Sequence, residues 1–388
     1  MSGARVPRRA FLQALATGTA GLLAPRRARA EEAYAIGLVL PAGAGASPLE
    51  QGTALGLGDA NALLTMFGKR LHLETATAEN GPAAAAAGQR LLRGAGAIAL
   101  VGGAGDGVAD ALRDVAAAEG GLLMNVAATD DRLRHERCEG RTFHLIPSTT
   151  MYVDALAQWL IERRALRLWA IAGDPGPVSR EIEAAARRAV TARGGTLVPT
   201  DAGPEVLLLA LEGAALREAA ARARAGAPGV TVAGVGAATP EGLGADEAAG
   251  VWAVGWHAEL ERFSARELNA RFRRRFGTLL TETGWAAWAA VKLVGEAVVR
   301  GSATDAAGVR AFFESAPPFD GHKGTPLTFR RWDHQLRQPL YILAPRKREE
   351  VGGRRGPFAV LADLPGANLD ALGTLAAQTR CPLGREIR

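Results

Sequence analysis

The residues that could do chemistry are few, and most are suited to holding a solute. The run Val101-Gly102-Gly103-Ala104-Gly105-Asp106-Gly107 stands between an apolar stretch and an Ala-rich one. Free backbone N–H groups and a helix dipole at such a junction can seat an anion. Gly102, Gly103 and Ala104 are therefore candidate ligand contacts, although the spacing is not that of a dinucleotide loop. A second candidate is Asn125-Val126-Ala127-Ala128-Thr129-Asp130-Asp131, where Ala127 and Ala128 offer amides, Thr129 a hydroxyl, and Arg132 a nearby cation. A third is aromatic. Trp256 follows an apolar run and is placed to face a cleft as a stacking platform, His257 adjoins it, and Trp285 and Trp288 lie one helical turn apart. Catalytic signatures are missing: the sequence contains no G-x-S-x-G, H-E-x-x-H, P-loop or C-x-x-C. His257-Ala258-Glu259 imitates the H-x-E of zinc deaminases without its cysteine partner motif. The six histidines and two cysteines have no metal-ligand spacing. The chain is read as a non-enzyme.

Such contacts need a scaffold that delivers loops to one edge, and the pattern supplies it. Strands are predicted over 34–40, 70–75, 97–101 and 122–126, alternating with helices over 49–67, 82–93 and 107–119. A second series follows, with strands at 142–146, 166–172, 206–211, 230–235 and 250–254 and helices at 149–164, 177–193 and 214–225. This alternation predicts an α/β fold with two doubly wound, Rossmann-like lobes, whose ligands sit at the carboxyl ends of the strands. The Ala83–Ala87 run fits a closely packed helix. After Gly255 come helices over 260–276, 282–300 and 305–315, then a strand-like pair near 327–329 and 340–343. Residues beyond 345 are rich in Gly, Pro and Arg, and read as an extended surface segment.

The chain has 388 residues, with 46 Lys+Arg against 40 Asp+Glu. Six of the basic residues, Arg5, Arg8, Arg9, Arg26, Arg27 and Arg29, fall within residues 1–30, which contain no acid. That segment has a basic start, an uncharged run and a small-x-small end at Ala28-Arg29-Ala30, the form of an export signal. Arg8-Arg9-Ala10-Phe11-Leu12-Gln13 fits the twin-arginine pattern, with the general secretory route as the alternative. Without it the chain is neutral, which removes the charge argument for a nucleic-acid partner. No other segment is long and apolar enough to span a membrane. A soluble periplasmic monomer is expected. Cys138 and Cys381, alone in an oxidising compartment, are expected to pair in one disulfide.

These features together resemble the type I periplasmic binding proteins of ABC importers, in the branched-chain amino acid group. A narrower likeness lies in Phe319-Asp320-Gly321-His322-Lys323-Gly324-Thr325-Pro326-Leu327-Thr328-Phe329-Arg330-Arg331-Trp332-Asp333 and its continuation to Pro339, with Cys138 and Leu369-Asp370-Ala371-Leu372-Gly373. That string resembles the subgroup associated with PQQ-dependent alcohol dehydrogenase systems. The resemblance implies a hinged clamshell. Its first lobe would hold residues 31–147 and about 258–318, its second 148–257 and about 319–345, with 346–388 as the outer segment. It implies that Gly102–Ala104 and Ala127–Thr129 hold a ligand carboxylate. Amino acid binders carry an aromatic residue where this chain has Gly173-Asp174-Pro175, so Asp174 takes that place and leucine-like ligands fit less well. PQQ or a related aromatic polycarboxylate is the expected ligand, with an ABC permease or a periplasmic dehydrogenase as partner. An amino acid or small carboxylate binder and a ligand-dependent sensor are the alternatives.

Overall fold

In the computed structural model, the described residues are 31–43, 47–226, 229–236, 243, 245–248, 250–351 and 356–385. The expected leader lies outside them. Five parallel strands make the first sheet, in the order β2 (Lys69–Ala78), β1 (Glu32–Pro41), β3 (Ala97–Gly102), β4 (Leu123–Asn125), β5 (Thr142–His144). All six residues of β3 are buried, as expected of a strand covered on both faces. Around this sheet pack helices α1 (Pro48–Leu64), α2 (Gly81–Gln89) and α3 (Val108–Glu119). Their starts are legible in the sequence: Ser47 accepts the N–H of Glu50 at 3.2 Å ahead of Pro48, and Asn80 accepts that of Ala83 at 3.0 Å. Ala84 and Ala87 are buried where α2 meets α3, so the alanine run does serve close packing.

The second sheet runs β14 (Phe358–Leu364), β13 (Leu340–Pro345), β10 (Val251–Val254), β9 (Thr231–Gly234), β8 (Val206–Ala210), β6 (Leu168–Gly173), β7 (Thr196–Leu197). Strands β6 to β10 pair in parallel, while β13 and β14 are antiparallel additions. Helices α4 (Thr149–Ala157), α5 (Pro177–Ala192) and α6 (Gly213–Gly226) belong to this lobe. The chain then returns to the first lobe through α7 (Ala265–Phe276), α8 (Glu282–Arg300) and α9 (Ala306–Glu314), with α8 lying along α1. The α/β architecture of two doubly wound sheets is therefore as expected.

Three expectations are corrected. The pair expected near 327–329 and 340–343 does not form: β11 (Thr328–Phe329) pairs with β12 (Leu336–Arg337), and β13 joins the second sheet beside β10. Residues 319–338 were expected in the second lobe, yet Gln335 bridges to His144 and its Nε2 donates to the His144 and Ile146 carbonyls, which places the β11–β12 hairpin against the first sheet. The segment after 345 is not merely a surface wrap. Its Phe358–Leu364 stretch is β14, hydrogen-bonded along β13 from Pro345 to Leu340. Disulfide Cys138–Cys381 is formed, with Cα atoms 5.2 Å apart.

Candidate ligand-binding site

The Gly-rich turn after β3 is shaped by residues without a side chain. Gly103, Gly105 and Gly107 have φ of +114°, +107° and +65°, a left-handed run closed to most residues, and it ends at the start of α3. A Cβ on Gly103 would stand 2.6 Å from Asn125 Oδ1, so the turn lies directly on that carboxamide. Among the described residues no acceptor takes the N–H of Ala104, which is half-buried at the turn.

The second expected anion seat is already occupied. Asn125 is fully buried, and its Oδ1 accepts the N–H groups of Ala128 at 2.9 Å and Ala127 at 3.3 Å. Its Nδ2 donates to the Ala128 carbonyl at 2.8 Å. The amides of Ala127 and Ala128 thus organise the loop and are not presented to a ligand in this conformation. Thr129 is half-buried, with its hydroxyl 3.2 Å from that of Thr149 across the lobe boundary. Arg132 is turned onto Asp130, with Nη2 to Oδ2 2.6 Å. Its neighbour Arg134 is buried and donates to Gln335 Oε1 and to the carbonyls of Ala128, Asp130 and Ile146. In the second lobe Asp174 is exposed and accepts from Gly176 N–H at 2.7 Å and Ser179 Oγ at 2.8 Å, which lowers its pKa and fixes the turn into α5.

The expected aromatic platform has a different role. Trp256 is 2% exposed and stacks on Trp285 at 5.8 Å and 22°, so one ring face is covered by the protein itself. The two rings and Tyr341 surround the ammonium of Lys323, which sits 3.8 Å from the Trp285 centroid and 5.7 Å from the other two. Lys323 donates to Gln338 Oε1 at 2.6 Å. The opposite charge acting on it is that of Glu282 at the start of α8, whose carboxylate accepts from the Tyr152 hydroxyl and the backbone N–H of Trp256. Burial pulls the Lys323 pKa down and pushes that of Glu282 up, each opposed by the other's charge. Gly255 is required here, since a Cβ at its φ of +149° would stand 2.5 Å from Glu282 Oε2. Two buried donors, Trp256 Nε1 and Tyr341 Oη, have no hydrogen-bond partner among the described residues. Burial raises the Tyr341 pKa, so the phenol keeps its proton.

This aromatic and charged floor lies where the lobes meet, because Tyr152 is on α4 and Tyr341 on β13 while Glu282 and Trp285 are on α8. Glu282, Lys323, Tyr152, Tyr341 and Gln338 were not identified in the sequence. The one available signal was the lysine in Gly321-His322-Lys323-Gly324, a cation in a glycine-bounded turn. His257 is structural: its Nδ1 accepts the Glu259 N–H at 3.2 Å, and burial lowers its pKa to about 4. Glu259 is paired with Arg346 at 2.7 Å, which removes the imitation zinc motif. Among the described residues no group of three or more His, Cys, Asp or Glu could hold a metal.

Two α/β lobes with loops and a polar floor at their seam define a hinged solute-binding fold. The chain belongs to the periplasmic binding protein family, whose model matches residues 36–349. Solved structures share the fold. A branched-chain amino acid ABC transporter periplasmic ligand-binding protein from Burkholderia xenovorans superposes with a TM-score of 0.79 at 17% identity, over 90% of this chain and 100% of that one. The branched-chain amino acid transporter substrate-binding protein of Streptococcus pneumoniae, in complex with isoleucine, gives 0.66 at 15% identity, over 85% and 100%. A solute-binding protein from R. palustris, in complex with 4-hydroxybenzoate, gives 0.70 at 13% identity, over 86% and 97%. Among curated proteins nothing matches the chain. No helix of the described residues is long and apolar enough to cross a membrane.

Proposed function

We propose that the chain is the periplasmic solute-binding component of an ABC-type importer, exported by its leader, and that its ligand is a small aromatic carboxylate. The observation that carries this reading is the seam floor, where a buried ammonium, two partnerless donors and three aromatic rings face one another. Both partnerless groups can donate a hydrogen bond, so an acceptor such as a carboxylate suits them, and the rings suit a planar body. The partnerless Ala104 amide in the turn between β3 and α3 offers a further donor. PQQ, a tricarboxylate, is the finer candidate; it rests on the likeness of the Phe319–Pro339 string to the dehydrogenase-associated subgroup. The 4-hydroxybenzoate bound by the R. palustris protein supports the broader class.

Thermal-shift and calorimetric titration of the protein with PQQ, 4-hydroxybenzoate, leucine and isoleucine tests this. A true ligand at about 100 times its Kd stabilises the fold by about 2.7 kcal/mol. PQQ or the benzoate is expected to shift the melting point, and Lys323→Met to abolish the shift. A response to the aliphatic amino acids alone would overturn the aromatic reading and leave an amino acid binder.

A further inference from the structure

The lobes are joined by chain at 145–148, 255–264 and 338–339, and the C-terminal segment passes between them once more. Its first part belongs to the second lobe: β14 extends that sheet, and Leu372 is fully buried in the core around α4. Its last part belongs to the first lobe, through the disulfide from Cys381 to Cys138, in the loop between β4 and β5. The changeover is abrupt. Gly373 N–H donates to Asp154 on α4 at 2.8 Å, and the next residue, Thr374, bonds His135 Nε2 at 2.7 Å. Arg330, 1% exposed on the first-lobe hairpin, fastens the seam by donating to the Leu369 and Leu372 carbonyls and to Asp370.

We propose that this segment is a strap: a fourth, covalently closed connection between the lobes that limits how far the cleft opens when no ligand is present. The inference rests on the hinged solute-binding reading. In a hinged protein, three crossings near one edge leave the opposite rims free to separate. A fourth connection fixed in both lobes confines the open state to a narrower range. Confinement keeps the unliganded protein closer to its binding geometry, and it raises apparent affinity by the fraction of molecules already competent.

The test needs no ligand, so its failure is distinct from failure of the functional assignment. Spin labels are placed at Glu74→Cys on β2 and Glu218→Cys on α6, both exposed, and the distance distribution is measured by double electron–electron resonance. The strap is cut in two independent ways. One is the Cys138→Ser/Cys381→Ser pair; the other is a protease site inserted between the exposed Gly366 and Ala367 and cleaved after folding, with the disulfide intact. Both cut forms are expected to show a longer mean and a broader distribution than the intact protein. An unchanged distribution in either form overturns the proposal. If circular dichroism shows that the serine pair does not fold, the cleaved form decides alone.

Discussion

Lys323 and Glu282 make opposite demands on a fold. Each is fully desolvated, and the charge of each opposes what burial does to the other. Lys323→Met is expected to cost about 3–5 kcal/mol by leaving Glu282 uncompensated, and adding Glu282→Gln should recover most of that. Chemical denaturation of the single and double variants measures both. A single variant no less stable than the double would contradict the pairing. These two residues are 41 positions apart in a sequence that gives each an ordinary setting, a helix start and a glycine loop. Their meeting depends on the packing of the β11–β12 region against α8, which no local pattern encodes. Asn125 illustrates the same limit. Its position at a strand end was visible, but the capture of the Ala127 and Ala128 amides by its carboxamide depends on a rotamer.

At the scale of elements, the α1–α8 contact is unusually close because glycines face it. A Cβ on Gly56 would stand 2.6 Å from the Trp288 carbonyl, and one on Gly52 would collide with that of Gly284. Gly56→Ala is expected to lower stability by about 1–3 kcal/mol through this overpacking, outweighing alanine's better helix propensity. A rise in melting temperature would show that the helices can separate at no cost. Most elements were legible because hydrophobic period and capping agree: Ser47, Asn80, Ser148 and Thr281 all cap the helices expected after them. Strand β14 was obscured by its setting. Phe358–Leu364 has strand composition, but the surrounding Gly, Pro and Arg made the whole segment read as irregular. The disulfide was legible from cysteine count and compartment alone.

For the whole molecule, the charge balance is settled internally. Residues 320–348 carry seven Lys and Arg against two Asp, a local excess of positive charge. Three of those cations are in ion pairs, Arg330 and Arg337 with Asp370 and Arg346 with Glu259, and Lys323 is buried against Gln338. Charge also acts between the lobes. Glu181 on α5 accepts the Asp131 N–H at 2.7 Å, and burial, then the Asp131 charge, raises its pKa to about 7. The folded protein therefore holds this proton between the ordinary carboxyl value of 4.5 and about 7, where the unfolded chain has released it. This contribution is complete below the lower value and declines as pH rises to the higher one, by about 3 kcal/mol at most. Glu181→Gln is expected to flatten the fall of melting temperature across that window. An unchanged pH profile would refute the assignment.

The pairing of α1 with α8 also bears on how the polypeptide acquires its shape. The glycine face of residues 48–64 stays uncovered until residues 282–300 have been synthesised, and the intervening chain builds most of the other sheet. Neither lobe is a continuous stretch of sequence, so neither can mature while the rest is still on the ribosome. Such long-range contacts make folding slow. The nascent protein must therefore persist with an exposed apolar helix face, and it is during this interval that a chaperone or an export factor has something to hold.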